Sequence, residues 1–156
     1  MKVTICAIGR LRAGPEFDLI KDYLQRFDRT GRNLGLGPAQ IIEQEDKKGG
    51  GSVAEAQLLL RAIPKGAKVC AMDERGKVMT SPEFATMMGN WRDQGTSDMA
   101  FIIGGADGLT KELRNQADAS LSLGKMVWPH MLARVMLSEQ LYRAASILSG
   151  SPYHRV

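Results

Sequence analysis

Apolar residues come in two rhythms along this chain. Short apolar-rich runs, VTICAIG at 3–9, AQIIEQ at 39–44, AKVCAMD at 67–73, DMAFIIGG at 98–105 and ASLSLG at 119–124, predict five strands. Between them the apolar positions recur at helical spacing. Phe17, Ile20, Leu24 and Phe27 mark a helix that Pro15 helps to start. Ser52 and Glu55 have capping-box spacing for a helix reaching Ile63. Ser81-Pro82 predicts a cap before Phe84, Met87, Met88 and Trp91, and Thr110 a cap for the short KELRNQA. DERGK, after the third run, reads as a polar turn. Pro129 opens the longest helix, through about Leu148, and Gly150 stops it.

Strands that alternate with helices predict an α/β fold, a mainly parallel sheet with helices on both faces. The 156 residues suit one domain spanning 1–156, with no repeat, linker or low-complexity segment. The last helix is apolar on more than one side. Leu132, Val135, Met136 and Leu148 cannot share one stripe with Leu137, Leu141 and Ala144. Such a helix is predicted to be buried on both faces, the second against another subunit of a symmetric dimer.

Composition narrows the class without naming it. Apolar residues make up 44% and charged residues 24%, as in soluble globular proteins. No run approaches a membrane span, and MKVTICAIGR lacks a signal-peptide h-region, so a cytoplasmic protein is expected. Cys6 and Cys70 sit singly in strand-like runs and read as buried small hydrophobes. With two histidines and two scattered cysteines, no metal site is expected. Net charge is +4, with arginine concentrated in GRLR (9–12), RFDRTGR (26–32), LYR (141–143) and YHR (153–155). Arginine suits a geometrically defined grip on phosphate, although a solvated basic face explains any single cluster as well.

Three loops could carry chemistry. FIIGGADGL ends the fourth strand with glycines that let a ligand approach the backbone. It is neither a G-x-G-x-x-G fingerprint nor a P-loop. SLGKMVWPH holds Met126, Val127 and Trp128 in a loop, where they either pack as core or line a pocket for a flat apolar group such as adenine. CAMDERGK brings Met72 and Asp73 to the same sheet edge. Together the loops predict a cofactor cleft. Gly104 and Gly105 are its candidate backbone contacts. The final SGSPYHRV poses a separate question, since Tyr153, His154 and Arg155 either wave in solvent or fold back to act.

FIIGGADGL followed by SLGKMVWPHMLARVMLSEQLYRAASILSGSPYHR resembles the C-terminal half of the ribosomal RNA large subunit methyltransferase H family, a branch of the SPOUT methyltransferases. The likeness extends over essentially the whole chain, and its most specific motifs are PH, EQLYRA and PYHR. It implies an α/β fold with a C-terminal trefoil knot, a rare exception to unknotted topology. It also implies a homodimer, S-adenosyl-L-methionine as methyl donor, and N3-methylation of a pseudouridine in 23S rRNA on the assembled ribosome. The family's cofactor contacts fall on Met72, Gly104 and the run Leu123, Gly124, Lys125, Met126, Val127 and Trp128. Relatives usually carry Leu at the position of Met72, and many carry Thr at that of Val127.

Methyl transfer to an imide nitrogen needs a proton acceptor and an aligned pair of reactants. His154 is the expected base, Arg155 and Arg143 the grip on phosphate or on developing charge, and Tyr153 a stacking surface. His130 is expected to be structural. The tail is therefore expected to fold over the cofactor. Two rival readings are an RNA-binding module without catalysis and a nucleotide-binding oxidoreductase.

Overall fold

The structure is a computed structural model that describes residues 1–155. Its elements are β1 (Lys2–Ile8), α1 (Pro15–Gly31), a short 3-10 turn (Arg32–Leu34), β2 (Ala39–Gln44), α2 (Gly51–Ala62), β3 (Lys68–Val78), α3 (Ser81–Asp93), β4 (Asp98–Ile103), α4 (Lys111–Gln116), β5 (Ala119–Ser122) and α5 (His130–Ser149). The five strands form one sheet in the order β2-β1-β4-β3-β5, and every pairing is parallel.

Strand alternation sends side chains to two separate cores. Val3, Ile5 and Ala7 of β1, with Met99, Phe101 and Ile103 of β4, face α1, α3 and α5. Cys6 and Ile8, with Ala100 and Ile102, face α2 and α4 through Leu59, Ala62 and Leu113. Both faces of the sheet are thus covered, which is why its strands read as near-continuous apolar runs. Cys6 and Cys70 are buried in these cores, and burial pushes both thiols up to about 12.

Four details depart from the sequence reading. The capping box forms one residue earlier than Ser81: the Thr80 hydroxyl accepts from the Glu83 amide while Glu83 accepts from the Thr80 amide. The box expected at Ser52 and Glu55 does not form, because α2 starts at Gly51, and the Gly50 amide is taken by the Asp46 carboxylate. DERGK does not end the third strand. Residues 73–76 loop out between two rungs that both fall on Leu121, and β3 resumes at Lys77 and Val78. Finally, Leu137, Leu141, Ala144 and Ala145 of α5 are fully buried within the single chain, so Leu141 belongs to the core and not to a subunit interface. The apolar residues of α5 most open to solvent lie in its first turn, at Met131 and Leu132, while Val135, Met136, Ile147 and Leu148 are partly covered.

No helix of the described residues is long and apolar enough to cross a membrane. Among the described residues, no cluster of His, Cys, Asp and Glu could hold a metal ion.

Candidate functional site

The looped-out segment of β3 and the C-terminal ends of β4 and β5 open onto a cleft of about 660 Å³. That is within the usual range for a small-molecule site. Its walls are residues 72–75, residues 103–108 and the run from Leu121 to Ala133. Met72, Gly104, Gly105, Leu123, Gly124, Met126, Val127 and Trp128 all line it. Lys125 is the exception: it is exposed and absent from the lining. Met126, Val127 and Trp128 are 72%, 77% and 42% exposed. They are not core residues that happen to lie in a loop. A run of large apolar side chains left open to solvent marks a surface built to be covered.

The glycine loop is tight for its own reasons. A Cβ on Gly104 would stand 2.7 Å from the Gly108 carbonyl carbon, so the turn cannot close around a side chain. Gly105 has a different neighbour from the one expected. A Cβ there would meet the Glu55 carboxylate at 3.0 Å and Ile8 at 3.2 Å. Glu55 thus supports the loop from beneath. Burial raises its pKa against the opposing bond from the Gly105 amide, and its Oε2 is buried with no partner.

Charge on the cleft wall is held in place. The Asp73 side chain is 5% exposed and accepts from Arg75 Nε at 2.9 Å and Arg75 Nη2 at 3.2 Å, with Arg114 at 3.7 Å. Burial alone would raise the carboxyl; the bonds from Arg75 and the attraction of Arg75 and Arg114 outweigh it and hold it below the usual range. This cluster pins the looped-out segment of β3. His130, the first residue of α5, also lines the cleft. Its Nδ1 is buried without a partner, and burial, then the Arg134 cation, lowers its pKa.

The tail residues form a second group at the other end of α5. The Tyr153 hydroxyl donates to Glu139 Oε1 at 2.9 Å. Arg143 donates to the same oxygen through Nε at 3.0 Å and Nη2 at 2.6 Å, and its Nη1 lies 3.2 Å from His154 Nδ1. The guanidinium stacks 4.8 Å over the Tyr153 ring, and Tyr153 packs on Tyr142 at 4.5 Å. Burial, then the bond to Glu139, pushes Tyr153 up to about 12, so its hydroxyl is a donor near neutral pH. Arg155 is exposed. Arg143, Tyr153 and His154 are therefore brought together, but not at the cleft of their own chain. From His130 to Arg143 is 13 residues of helix, about 20 Å at 1.5 Å per residue. Beside this group lies an apolar groove of about 440 Å³, with Leu19, Tyr23, Val78, Met136 and Glu139 in its wall.

Sequence reasoning missed Glu139, the acceptor shared by Arg143 and Tyr153. Its signal was the four-residue spacing to Arg143 on a helix, the spacing of an ion pair. It also missed Asp73 as the anchor of the third loop, since its partner Arg114 is distant in sequence.

Comparison with known proteins gives a consistent result. The family model described as "Predicted SPOUT methyltransferase" matches residues 1–154. A protein of Dinoroseobacter shibae named "Ribosomal RNA large subunit methyltransferase H" is 72% identical over 156 residues, covering 100% of both chains. A protein of Ruegeria pomeroyi with the same name is 65% identical, again over the whole of both. Among solved structures, a probable methylase family protein from Haemophilus influenzae aligns with a TM-score of 0.54 at 14% identity, over 99% of this chain and 70% of that one. That last likeness concerns the fold alone.

Proposed function

The chain belongs to the SPOUT methyltransferase family, and from that premise we propose that it transfers a methyl group from S-adenosyl-L-methionine to N3 of a pseudouridine in 23S rRNA of the assembled ribosome. The substrate follows the name shared by full-length relatives. The observation that carries the reading is the cleft itself, which unites eight of the expected cofactor residues at one sheet edge. Its chemistry suits the donor: an open apolar wall at Met126 to Trp128, a glycine turn, and a buried ring nitrogen of His130 without a partner. When bound, the donor supplies an electrophilic methyl on a cationic sulfur.

The chain's own residues supply alignment and the proton's destination. Met126, Val127 and Trp128 close over the cleft and exclude water, which strengthens electrostatic interactions inside it. The Asp73–Arg75–Arg114 cluster and Glu55 hold two of the walls still. His154 takes the imide proton as N3 takes the methyl group. Arg143, set in place by Glu139, steadies the developing negative charge, and Arg155 grips RNA. Tyr153, protonated, offers its ring to a base and its hydroxyl to Glu139.

Because Arg143, Tyr153 and His154 do not line the cleft of their own chain, the reading takes the enzyme as a homodimer in which the tail of one protomer serves the cleft of its partner. The groove beside Glu139, with Leu19 and Val78 in its wall, is the surface the dimer would cover. The reading also takes residues 1–156 as one cytoplasmic domain. In it, the passage from edge strand β5 back to α5, running past the ends of β3 and β4, forms the trefoil knot.

The test is calorimetric titration with S-adenosyl-L-methionine, followed by transfer of labelled methyl to large ribosomal subunits. Donor binding with methyl transfer to pseudouridine N3 is expected. RNA binding without donor binding would replace the reading by a non-catalytic RNA-binding module.

A further inference from the structure

Arg134 is the largest side chain fully withdrawn from solvent. It lies one turn after His130 on α5. Its Nη1 donates to Glu43 Oε2 at 2.9 Å, and its Nη2 donates to the carbonyl oxygens of Ile8 at 2.7 Å and Gly9 at 2.9 Å. The same Glu43 oxygen accepts from the Leu11 amide at 2.6 Å. The start of α5, the end of β2 and the segment after β1 therefore meet at one ion pair, whose arginine is buried and whose carboxylate is 28% exposed.

Stability alone does not explain this pair. Burying the guanidinium costs several kcal/mol, and an apolar residue of similar volume often serves as well or better. Arg134 also leaves its Nε buried without a partner. What the pair does achieve is to fix a backbone. It captures the Gly9 carbonyl and the Leu11 amide, on either side of Arg10. Gly9 stands at φ +93°, a conformation that favours glycine, and its amide is held by Gln44. With the backbone pinned, Arg10 and Arg12 are both exposed. Arg10 has only a loose partner, Glu45 at 3.6 Å, and an exposed pair of this kind is readily exchanged for another anion.

This loop is next to the cleft. A Cβ on Gly9 would lie 3.6 Å from the His130 ring, and Ile8 is the neighbour of Gly105. Two cations are thus carried on a fixed backbone at the cleft's rim. We infer that Arg134 and Glu43 are positioning residues that hold the Gly9–Arg12 loop so that Arg10 and Arg12 grip RNA phosphates beside the base being methylated. The inference rests on the RNA methyltransferase reading above.

The test is steady-state methylation of large ribosomal subunits by the full-length protein, with equilibrium binding of a structured RNA at several salt concentrations. Arg10→Ala with Arg12→Ala is expected to raise KM for the subunit roughly tenfold and lower the salt slope of RNA binding by about 1.5, with kcat and donor affinity unchanged. Glu43→Ala is expected to raise KM similarly. Glu43→Gln, which still accepts from the Leu11 amide and Arg134, is expected to stay near wild type. Placed on the double-arginine variant, Glu43→Ala is expected to add less than twofold. An unchanged KM in the double-arginine variant would overturn the inference. So would a Glu43→Ala loss that multiplies in full on that variant, since the pair would then act elsewhere. The double-arginine change lies on the surface and spares folding, so the first criterion holds even where Glu43→Ala unfolds. If the wild type methylates no ribosomal subunit, the enzymatic reading fails, and the binding series with structured RNA still decides the inference by the same ordering of variants.

Discussion

Helix α5 carries two arginines in opposite circumstances. Arg134 is sealed inside, bonded to Glu43 and two carbonyls, and serves the backbone. Arg143 keeps a side chain 25% exposed, held by Glu139 beneath a tyrosine ring and next to a histidine, with its charge within reach of something outside the chain. The first is surrounded by acceptors the fold itself supplies. The second has one carboxylate, shared with Tyr153, and a neighbouring imidazole. An arginine sealed from solvent has little to offer a ligand, whereas one with a quarter of its side chain exposed can still meet one. One helix thereby lines a cleft at its start and gathers arginine, tyrosine and histidine about Glu139 near its end.

The comparison can be broken most decisively at the tail. Deleting residues 153–156 is expected to lower methyl transfer by ~10²–10⁴-fold, the usual contribution of acid–base groups, while donor affinity stays normal. Loss of donor binding in that variant would mean the two ends of α5 do not divide the work. Next in size is the cleft end. Gly104→Val forces a side chain against the Gly108 carbonyl, and donor affinity should fall by roughly 100-fold on calorimetric titration, with circular dichroism preserved. Unchanged affinity would remove the loop from the site.

A third change asks whether the ends cooperate between protomers. Leu19 is 45% exposed in the groove near Glu139. Leu19→Lys should weaken dimerisation at least tenfold by sedimentation, and activity should fall with the dimer more than donor affinity does. Full activity in a monomer would mean that each tail serves its own cleft. Leu141→Lys cannot ask this question, because its charge would enter the core and the fold would be lost.

The smallest effect concerns the cleft wall. Asp73 is held below the usual carboxylate range, so its contribution is complete above about pH 4 and is lost as pH falls through the lowered value. Asp73→Asn should cost about 2 kcal/mol at neutral pH, the scale of a charged hydrogen bond, or roughly 4–8 °C in melting temperature. The gap between the two melting curves should close in acid. A gap that is constant with pH would mean the ionised carboxylate is not what secures the loop.

Much of this was legible in the sequence, for a reason that also marks where legibility ends. The five strands and five helices announce themselves because burial on both sheet faces writes unbroken apolar runs and burial of one helix face writes a period of 3.6. Met126, Val127 and Trp128 stood out because large apolar residues in a loop have no local reason to be there. What did not show was pairing across distance. Glu43 and Arg134 are 91 residues apart, and nothing near either one names the other. The Ser52–Glu55 spacing misled because Gly51 begins the helix first, leaving Glu55 free to turn beneath Gly105. The Asp73–Gly76 bulge looked like a turn because four polar or glycine residues leave the ladder there, and only the return of Lys77 and Val78 to β5 shows that the strand goes on.

The cleft is closed by the run from Leu121 to Ala133, and the core beneath α1 and α3 is completed by Leu137, Leu141, Ala144 and Ala145. All of these follow the first four strands in the sequence. A chain folds from its N-terminal part onward as it is made. The first four strands are therefore in the open before the helix that must cover them has emerged. Until that helix is made, the cleft lacks its third wall and the earlier strands must be kept from straying. The order of synthesis thus makes one stretch, Leu121 to Ala145, decide both when the cleft is complete and when the core is sealed.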